Sequence, residues 1–281
     1  MSAHPANPYG PSALGGGAKR FLELTTTLAR SEFKVRYFGS VLGYLWSLMR
    51  PLLFFGVLYL FFTQIVKFGA GVPHYGVYLL TSIVLWNYFA EATGNSVTCM
   101  VSRESLLRKI RFPRMVIPLS VSLTAAFNLG MNMIAVFVFA AVNGVTPKAS
   151  WIELLPIAIG FIVLATGIGM LLSAAYVRFR DVAPIWEVLV QAWFYCSPIM
   201  YIASNYGHRF GHGFAHVAMV NPAAQLLTQT GHVFIGGAAF PPSVKVGGVV
   251  SALLALTIII AALVVGWWFF TREAPRVAEN L

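Results

Sequence analysis

The chain has 281 residues, of which 58% are hydrophobic and only 10% are charged, and its mean hydropathy is +0.75. A soluble domain of this length needs more polar surface than such a composition supplies, so an integral membrane protein is predicted. The net charge of +10 does not indicate nucleic-acid binding, because the basic residues flank apolar segments, where membrane lipid head groups or an acidic partner would meet them.

The apolar segments predict an all-α fold with six transmembrane helices. A helix needs about 20 residues to cross a bilayer, and the first and fifth segments are short. The segments lie at residues 51–66, 75–98, 115–142, 151–176, 183–201 and 246–270. With this threading, all but four of the nineteen Lys and Arg residues fall on one side of the membrane. Cytoplasmic loops carry positive charge, so both termini are predicted to be cytoplasmic.

Two segments precede the first span. Residues 1–19, rich in Pro and Gly and without an apolar stretch, are expected to be a flexible cytoplasmic tail rather than a signal peptide. In residues 20–37 the polar side chains share a narrow arc at 100° per residue, which is typical of an amphipathic helix in the inner membrane interface. Glu32 and Arg36 interrupt its apolar face, and their i, i+4 order predicts that they neutralise each other. A simple anchor and a gate helix beside a lateral opening are both compatible with this pattern.

A polar stripe runs along the second predicted span. Asn87, Glu91 and Asn95 fall on one face of a helix, and Glu91 is expected near the inner interface, about 24 Å from the outer end at 1.5 Å per residue. Intramembrane carboxylates rarely face lipid. The stripe therefore either packs against other helices or lines a conduit.

The connection after the second span is basic and partly apolar, and Pro113 is expected to end its short surface helix. It is either a basic inner loop or a docking surface for another protein. The candidate docking residues of this connection are Arg103, Glu104, Leu106, Leu107, Arg108, Lys109, Ile110, Arg111 and Phe112.

Later segments carry packing and turn signals. Gly169 forms small-residue pairs with Ala165 and Ser173 at i, i+4, which permit close helix approach. Asn221 and Pro222 favour a helix start in the long external connection, and the apolar run that follows is too short to span, so a re-entrant hairpin is predicted. His208, His212 and His216 are four apart, but the intervening glycines argue against the helix that a row of metal ligands would need, and no metal site is predicted.

The sequence lacks the motifs of several enzymes. No Lys follows a Gly, so the chain has no Gly-Lys phosphate loop and cannot bind ATP in that way. Asp181 is its only aspartate, which argues against a glycosyltransferase with paired metal-binding aspartates and against a Ser-His-Asp site. No catalytic residue and no cofactor are therefore predicted in this chain.

Four ordered motifs resemble one family. FKVRYFGSVLGYLWSLMRP at 33–51, LWNYFAEATGNSVTCMVSRESLLRKIRFPRMVIP at 85–118, RFRDV at 178–182 and SPIMY at 197–201, with the later Asn221-Pro222, resemble the permease subunits of type-2 ABC exporters for cell-surface polysaccharides. These include O-antigen, teichoic acid and galactan exporters, and within the family the motifs look most like those of the actinobacterial galactan permeases.

The resemblance implies a homodimer in the bacterial plasma membrane, with each six-span permease paired with a nucleotide-binding ATPase subunit that holds ATP and Mg. It implies a polyprenyl-pyrophosphate-linked polysaccharide as cargo. It assigns 20–37 to a gate helix, 38–270 to the transmembrane domain and 271–281 to a cytoplasmic tail. Residues 102–112 would be the main coupling helix, and Arg178, Arg180 and Asp181 a second ATPase contact.

Two residue sets are expected to serve the cargo. Arginines of the gate region would guide the pyrophosphate, because a guanidinium suits phosphate geometry, although lipid head-group contact explains them equally. This set is Arg30, Arg36 and Arg50, with Glu32 in the same helix. A glycan path would use polar and aromatic side chains, although interfacial belts also explain the aromatic ones. The channel candidates are Asn87, Tyr88, Glu91, Asn95, Trp193 and Tyr195.

Three alternatives stay open. A stand-alone channel or secondary transporter would rely on Glu91 and Glu187, but no internal repeat supports it. A membrane enzyme of glycolipid assembly would elongate glycan by itself. A type-2 permease could also carry a drug or a small lipid.

Overall fold

The structure is a computed structural model that describes residues 17–37, 43–67, 72–104, 113–203, 206 and 211–280. In these residues the backbone forms helices and turns and no strand. The α-helices are α1 Ala18–Tyr37, α2 Gly43–Leu60, α3 Tyr75–Ser102, α4 Val116–Val142, α5 Leu154–Arg178, α6 Val182–Cys196, α7 His212–Ala218, α8 Pro222–Phe234 and α9 Ser243–Asn280. A π-helical turn, Phe61–Ile65, extends α2, and a 3-10 turn, Ala149–Glu153, precedes α5.

Helix α1 has the amphipathic character that its sequence predicts. The residues of the predicted polar arc are all exposed: Arg20, Glu23, Thr27, Arg30 and Lys34. The opposite face packs on α4, where Thr25 and Ala29 are buried and the rings of Phe33 and Phe127 lie 5.9 Å apart. The helix contains neither Gly nor Pro, and it starts two residues before the predicted position.

Within the described ranges, four helical segments are long and apolar enough to cross a membrane, judged by length and composition. They are Leu45–Ile65, Val116–Val142, Ala149–Arg178 and Ser243–Glu273. Helix α6 is apolar but shorter, with 15 residues. Helix α3 has 28 residues and lies at the centre of the fold, packed against α4, α5, α2, α6 and α8. Since most of its side chains are buried against protein, α3 tolerates polar residues better than a lipid-facing helix would.

The fifth predicted span, 183–201, is longer than the helix that forms. Helix α6 ends at Cys196, because Pro198 disfavours helical geometry at the preceding Ser197, whose ψ is 146°. The next residues pack against the start of α3 instead. The hydroxyl of Tyr75 donates to the Met200 carbonyl at 2.5 Å, and the hydroxyl of Tyr78 donates to the Pro198 carbonyl.

Small residues bring α5 against its neighbours. A Cβ atom at Gly169 would lie 2.7 Å from the Ser96 hydroxyl on α3, which confirms the predicted close approach at this position. The tighter contact is between Gly167 and Gly266 of α9, where a Cβ atom at Gly266 would lie 2.0 Å from the Gly167 carbonyl oxygen. The i, i+4 pattern did not select this second contact.

The segment before α9 contains two short helices. Asn221 caps α8 by accepting a hydrogen bond from the Ala223 amide at 3.0 Å, and the chain turns at Gly236 and Gly237, which both have positive φ. This confirms the predicted helix start. The expectation that glycines prevent a helix near His212 was wrong, because Gly211 precedes α7 with φ 84° and only Gly213 lies inside it.

Helix α9 bends at Gly248, where φ is 79°. It then continues to Asn280, so the residues assigned from sequence to a cytoplasmic tail extend the last helix.

Candidate functional site

A cavity of about 840 Å³ lies between α1, α2, α3 and α4 and has a polar lining. Two guanidinium groups, one carboxylate and four amide side chains line it, with an indole at one side. These residues are Arg36, Arg50, Glu91, Asn87, Asn95, Asn128, Asn132 and Trp46. In the part of the chain that the structure describes, no three His, Cys, Asp or Glu residues lie close enough together to hold a metal ion.

Helical periodicity explains why these amides meet. Asn87, Glu91 and Asn95 are spaced by four on α3 and so lie on one face. Asn128 and Asn132 are spaced by four on α4, and their face meets the α3 stripe. The cavity is therefore lined by two facing polar stripes on helices that are otherwise largely apolar.

Two of the lining residues form an ion pair. Arg36 of α1 binds the Glu91 carboxylate of α3, and both side chains keep partial exposure, at 42% and 29%. Burial alone lowers the pKa of the Arg36 guanidinium, but the charge of Glu91 and hydrogen bonds to Tyr37 and Glu91 outweigh it, so the pKa lies above its usual value. Arg36 is a permanent cation at this site.

Asn128 fixes the carboxylate from the other side. The Asn128 Nδ2 atom donates to both Glu91 carboxylate oxygens, at 2.9 and 3.2 Å. Asn132 Nδ2 donates to the backbone carbonyl of Asn128 at 2.9 Å. Asn128 is only 5% exposed, and its Oδ1 has no hydrogen-bond partner among the described residues. An inverted amide would point oxygen at a carboxylate, so this orientation is the chemically reasonable one.

A second ion pair lies one turn earlier on α1. Glu32 binds Arg103 at the end of α3, and the Thr124 hydroxyl of α4, which donates to the Ser120 carbonyl at 2.8 Å, lies 3.4 Å from the Glu32 carboxylate. Arg103 also donates to the Ser120 hydroxyl at 3.3 Å and to the Ile117 carbonyl at 3.4 Å. A cavity of about 190 Å³ lies beside these groups and includes Arg36 and Asn95 in its lining.

These two ion pairs correct the predicted pairing of Glu32 with Arg36. Both side chains lie on the face of α1 that packs on the bundle, the face of Thr25 and Ala29. That face meets opposite charges on α3, and a pair between helices is less solvated than a pair along one exposed helix. Each residue therefore binds a partner on another element.

Of the other residues predicted to serve the cargo, some line the cavity and others do not. Arg50 lines the cavity, whereas Arg30 lies on the exposed polar face of α1. Tyr88 is buried and hydrogen-bonds with Ser122 at 3.1 Å.

The two aromatic candidates on α6 also lie outside the cavity. Trp193 packs on Trp86 and Phe89 and donates to Asn221 Oδ1 at 2.9 Å. Tyr195 is exposed. Of the six channel candidates, the cavity thus includes Asn87, Glu91 and Asn95 and not the three aromatic residues.

Most of the predicted coupling helix lies outside the described residues. Arg103 and Glu104 are described, whereas Leu106, Leu107, Arg108, Lys109, Ile110, Arg111 and Phe112 are not. The second predicted ATPase contact is an exposed turn between α5 and α6 that holds Arg178, Arg180 and Asp181. Arg180 lies over the Tyr176 ring, 5.2 Å from its centroid.

Sequence reasoning missed Asn128, Asn132 and Trp46. A signal for the first two was present, because two amides spaced by four in a 27-residue apolar helix form a polar stripe like that of α3. Trp46 offered no comparable signal, since its position at the cavity depends on how α2 packs.

Comparison with known proteins finds similarity to one family of membrane transporters. The profile of the ABC-2 type transporter membrane family matches residues 23–230. Two proteins named "O-antigen export system permease protein RfbA" from Klebsiella pneumoniae are 31% and 30% identical over 216 residues, which cover 76% of this chain and 81% of each relative. A protein of the same name from Myxococcus xanthus is 28% identical over 213 residues, which cover 75% of this chain and 80% of that relative.

Proposed function

Since the chain belongs to the ABC-2 type transporter family, we propose that it is the membrane permease subunit of an exporter that moves lipid-linked polysaccharide out of the cell. The likeness to O-antigen export permeases over three quarters of the chain supports this cargo class. The observation that carries the proposal is the cavity beneath α1. It offers two guanidinium groups for phosphate, four amides for sugar hydroxyls and one indole for a sugar face.

The finer proposal concerns the assembly. Two copies of this permease, each with six transmembrane helices and cytoplasmic termini, pair with two ATPase subunits in the bacterial plasma membrane. ATP and Mg belong to those subunits, and this chain is not an enzyme. The ATPase contacts residues 102–112 and the turn at Arg178 to Asp181, which adjoin the ends of α3, α4, α5 and α6.

The cargo is proposed as a polyprenyl-pyrophosphate-linked polysaccharide, with galactan as the narrower choice. Arg36 and Arg50 guide the pyrophosphate, because both guanidinium groups line one cavity next to the amphipathic helix. Arg30, on the opposite face of α1, contacts lipid head groups instead. Glycan export then draws its energy from ATP hydrolysis in the partner.

Inside-out membrane vesicles that contain the chain and its ATPase test the function. Lipid-linked polysaccharide starts on the outer face, and export into the lumen protects it from added glycosidase. We expect protection that requires ATP and both subunits, and we expect no phosphate release from ATP by the purified permease alone. Robust hydrolysis by the permease, glycan protection without ATP, or ATP-driven uptake of a drug-like dye without glycan protection would overturn the proposal.

A further inference from the structure

We infer that Glu91 is an internal counter-ion that occupies the place of a phosphate group beside Arg36, and that a phosphate-bearing lipid head group binds the cavity by displacing it. The inference deepens the proposed function and rests on it. It assigns the site one chemical class of ligand, a phosphate monoester or diphosphate on a lipid. It also gives Glu91 a role opposite to that of a ligand-binding residue, because Glu91 competes with the ligand.

The first support is access to the ion pair. Arg36 and Glu91 both line the cavity, and their side chains are 42% and 29% exposed. A ligand in the cavity therefore reaches the pair without unfolding a helix. Carboxylate and phosphate groups present similar pairs of oxygens to a guanidinium, so one replaces the other with little change in geometry.

The second support is that Glu91 keeps a partner after Arg36 leaves it. Asn128 donates to both carboxylate oxygens and is 5% exposed, so it is held within the bundle. An exchange in which Glu91 retains this neutral donor costs less than one that strands a carboxylate without any partner. Asn128 is thus a positioning residue for Glu91.

The third support is the balance of charge. The cavity is lined by Arg36 and Arg50 and by one carboxylate, Glu91. A diphosphate lipid carries two or more negative charges, which both guanidinium groups are needed to neutralise. Arg36 must then turn from Glu91 to the ligand, whereas a neutral sugar or an uncharged lipid gives it no reason to do so.

The exchange has a consequence for α1. Arg36 lies in the last turn of this helix, and its bond to Glu91 connects that turn to α3. Head-group binding removes the connection, while Glu32 and Arg103 still connect the preceding turn to the end of α3. The arrival of an anionic head group is thus coupled to the loss of one ion pair between the last turn of α1 and α3.

Removal of the internal competitor provides the test. We expect Glu91→Gln to bind undecaprenyl pyrophosphate about two- to fivefold more tightly than the natural chain, the range that a partly exposed ion pair supports. We expect Arg36→Gln to bind it more weakly, and the double variant to bind it as weakly as Arg36→Gln. The amide oxygen that Glu91→Gln introduces can still accept a hydrogen bond from Asn128 Nδ2, so the fold should tolerate this change.

Native mass spectrometry of the full chain in mixed micelles counts bound lipid as its mole fraction rises. Glu187→Gln is the matched control, because Glu187 is an exposed carboxylate on α6 outside the cavity. Undecaprenol, which has no phosphate, tests whether the phosphate is needed. Neither Glu91→Gln nor Arg36→Gln should change the binding of undecaprenol. Equal or weaker binding of undecaprenyl pyrophosphate by Glu91→Gln, with normal thermal stability, would show that Glu91 is structural and would overturn the inference.

Inorganic pyrophosphate separates the two sources of phosphate. Tighter binding of the free anion, but not of the lipid, by Glu91→Gln would overturn the assignment to a lipid head group. The vesicle assay separates this inference from the proposed function. Tighter lipid binding by Glu91→Gln without any glycan export by the natural chain would support the exchange and reject the export.

Discussion

Glu32 and Arg36 show how strongly context decides the behaviour of a charged residue. They are one helical turn apart, yet Arg36 binds a residue 55 positions away in the chain. A pair along one exposed helix contributes only about 0.3–0.5 kcal/mol, so it does not by itself hold Glu32 and Arg36 together when the packed helices offer other partners. The bundle also supplies a neutral donor to Glu91, from Asn128.

A double-mutant cycle tests the revised pairing. We expect Glu32→Ala and Arg103→Ala to interact by about 0.5–3 kcal/mol, because these two side chains contact each other in one network. The cycle of Glu32→Ala with Arg36→Ala should be close to additive. Thermal unfolding in detergent, read for the single and double variants, gives both coupling energies. A larger coupling within the Glu32 and Arg36 cycle would restore the original prediction of an intrahelical pair.

Asn128 permits a second test at the scale of the residue. Asn128→Ala removes the neutral donor to Glu91, and we expect a loss of about 1–3 kcal/mol in the free energy of unfolding. Asn132→Ala is the control, since its amide donates to a backbone carbonyl of its own helix and its loss should cost less. Chemical denaturation of both variants measures the difference. Equal losses in the free energy of unfolding would show that the hydrogen bonds from Asn128 to Glu91 stabilise the fold no more than the hydrogen bond of Asn132 does.

At the scale of the helix, small residues decide which elements approach closely. The predicted small-residue pairs of α5 locate its contact with α3, but the closest approach is between α5 and α9 at Gly167 and Gly266. Sequence spacing on one helix identifies a face that permits contact. The identity of the partner depends on the neighbouring helix, which spacing does not give.

The contact between α5 and α9 is testable by adding one methyl group. Gly266→Ala would place a Cβ atom 2.0 Å from the Gly167 carbonyl oxygen, so α9 must shift, and we expect a marked fall in the melting temperature. Gly130→Ala on α4 is the matched control, because its added Cβ atom would meet no described atom within 4 Å apart from its own chain neighbours and local helix backbone. In Gly130→Ala, the higher helix propensity of Ala should stabilise the folded protein by up to about 1 kcal/mol. Similar melting temperatures for the two variants would contradict the observed packing.

At the scale of the whole molecule, charged contacts connect the amphipathic helix to the proposed ATPase contact. Arg103 lies where α3 ends and the basic connection begins, and it binds Glu32 of α1. A displacement of Arg103 would therefore reach α1 through its ion pair with Glu32. The cavity, bounded by α1 and α3 at Arg36 and Glu91, lies along the same helices.

The proposed ATPase contact is tested at Leu107. A carboxylate introduced by Leu107→Asp would be desolvated at a protein interface, which costs about 1–3 kcal/mol or more when it is unpaired. We expect loss of the ATPase from the purified complex and loss of export, with normal membrane insertion. Leu107→Ala, which adds no charge, should retain more of the complex. Unchanged complex yield and ATPase rate in Leu107→Asp would show that this connection is not the contact.

The sequence by itself determined the features that depend on composition and short spacing. Hydropathy and the polar arc of 20–37 predicted a helical membrane protein with an amphipathic first helix, and Asn221 and Pro222 predicted the start of α8. The polar stripe of α3 was also visible, because residues four apart share a helix face in any packing. These signals act within one or two turns of helix.

Only the tertiary structure decided what each stripe and charge faces. The partner of Arg36, the amides opposite Glu91 and the separation of Trp193 from the cavity all depend on helices distant in the chain. The residues after α6 also show this dependence: Pro198 ends the helix locally, but only the structure shows that Met200 lies against Tyr75 of α3. Local sequence fixes which face a side chain lies on, but the free energy of packing between helices selects the group that it meets.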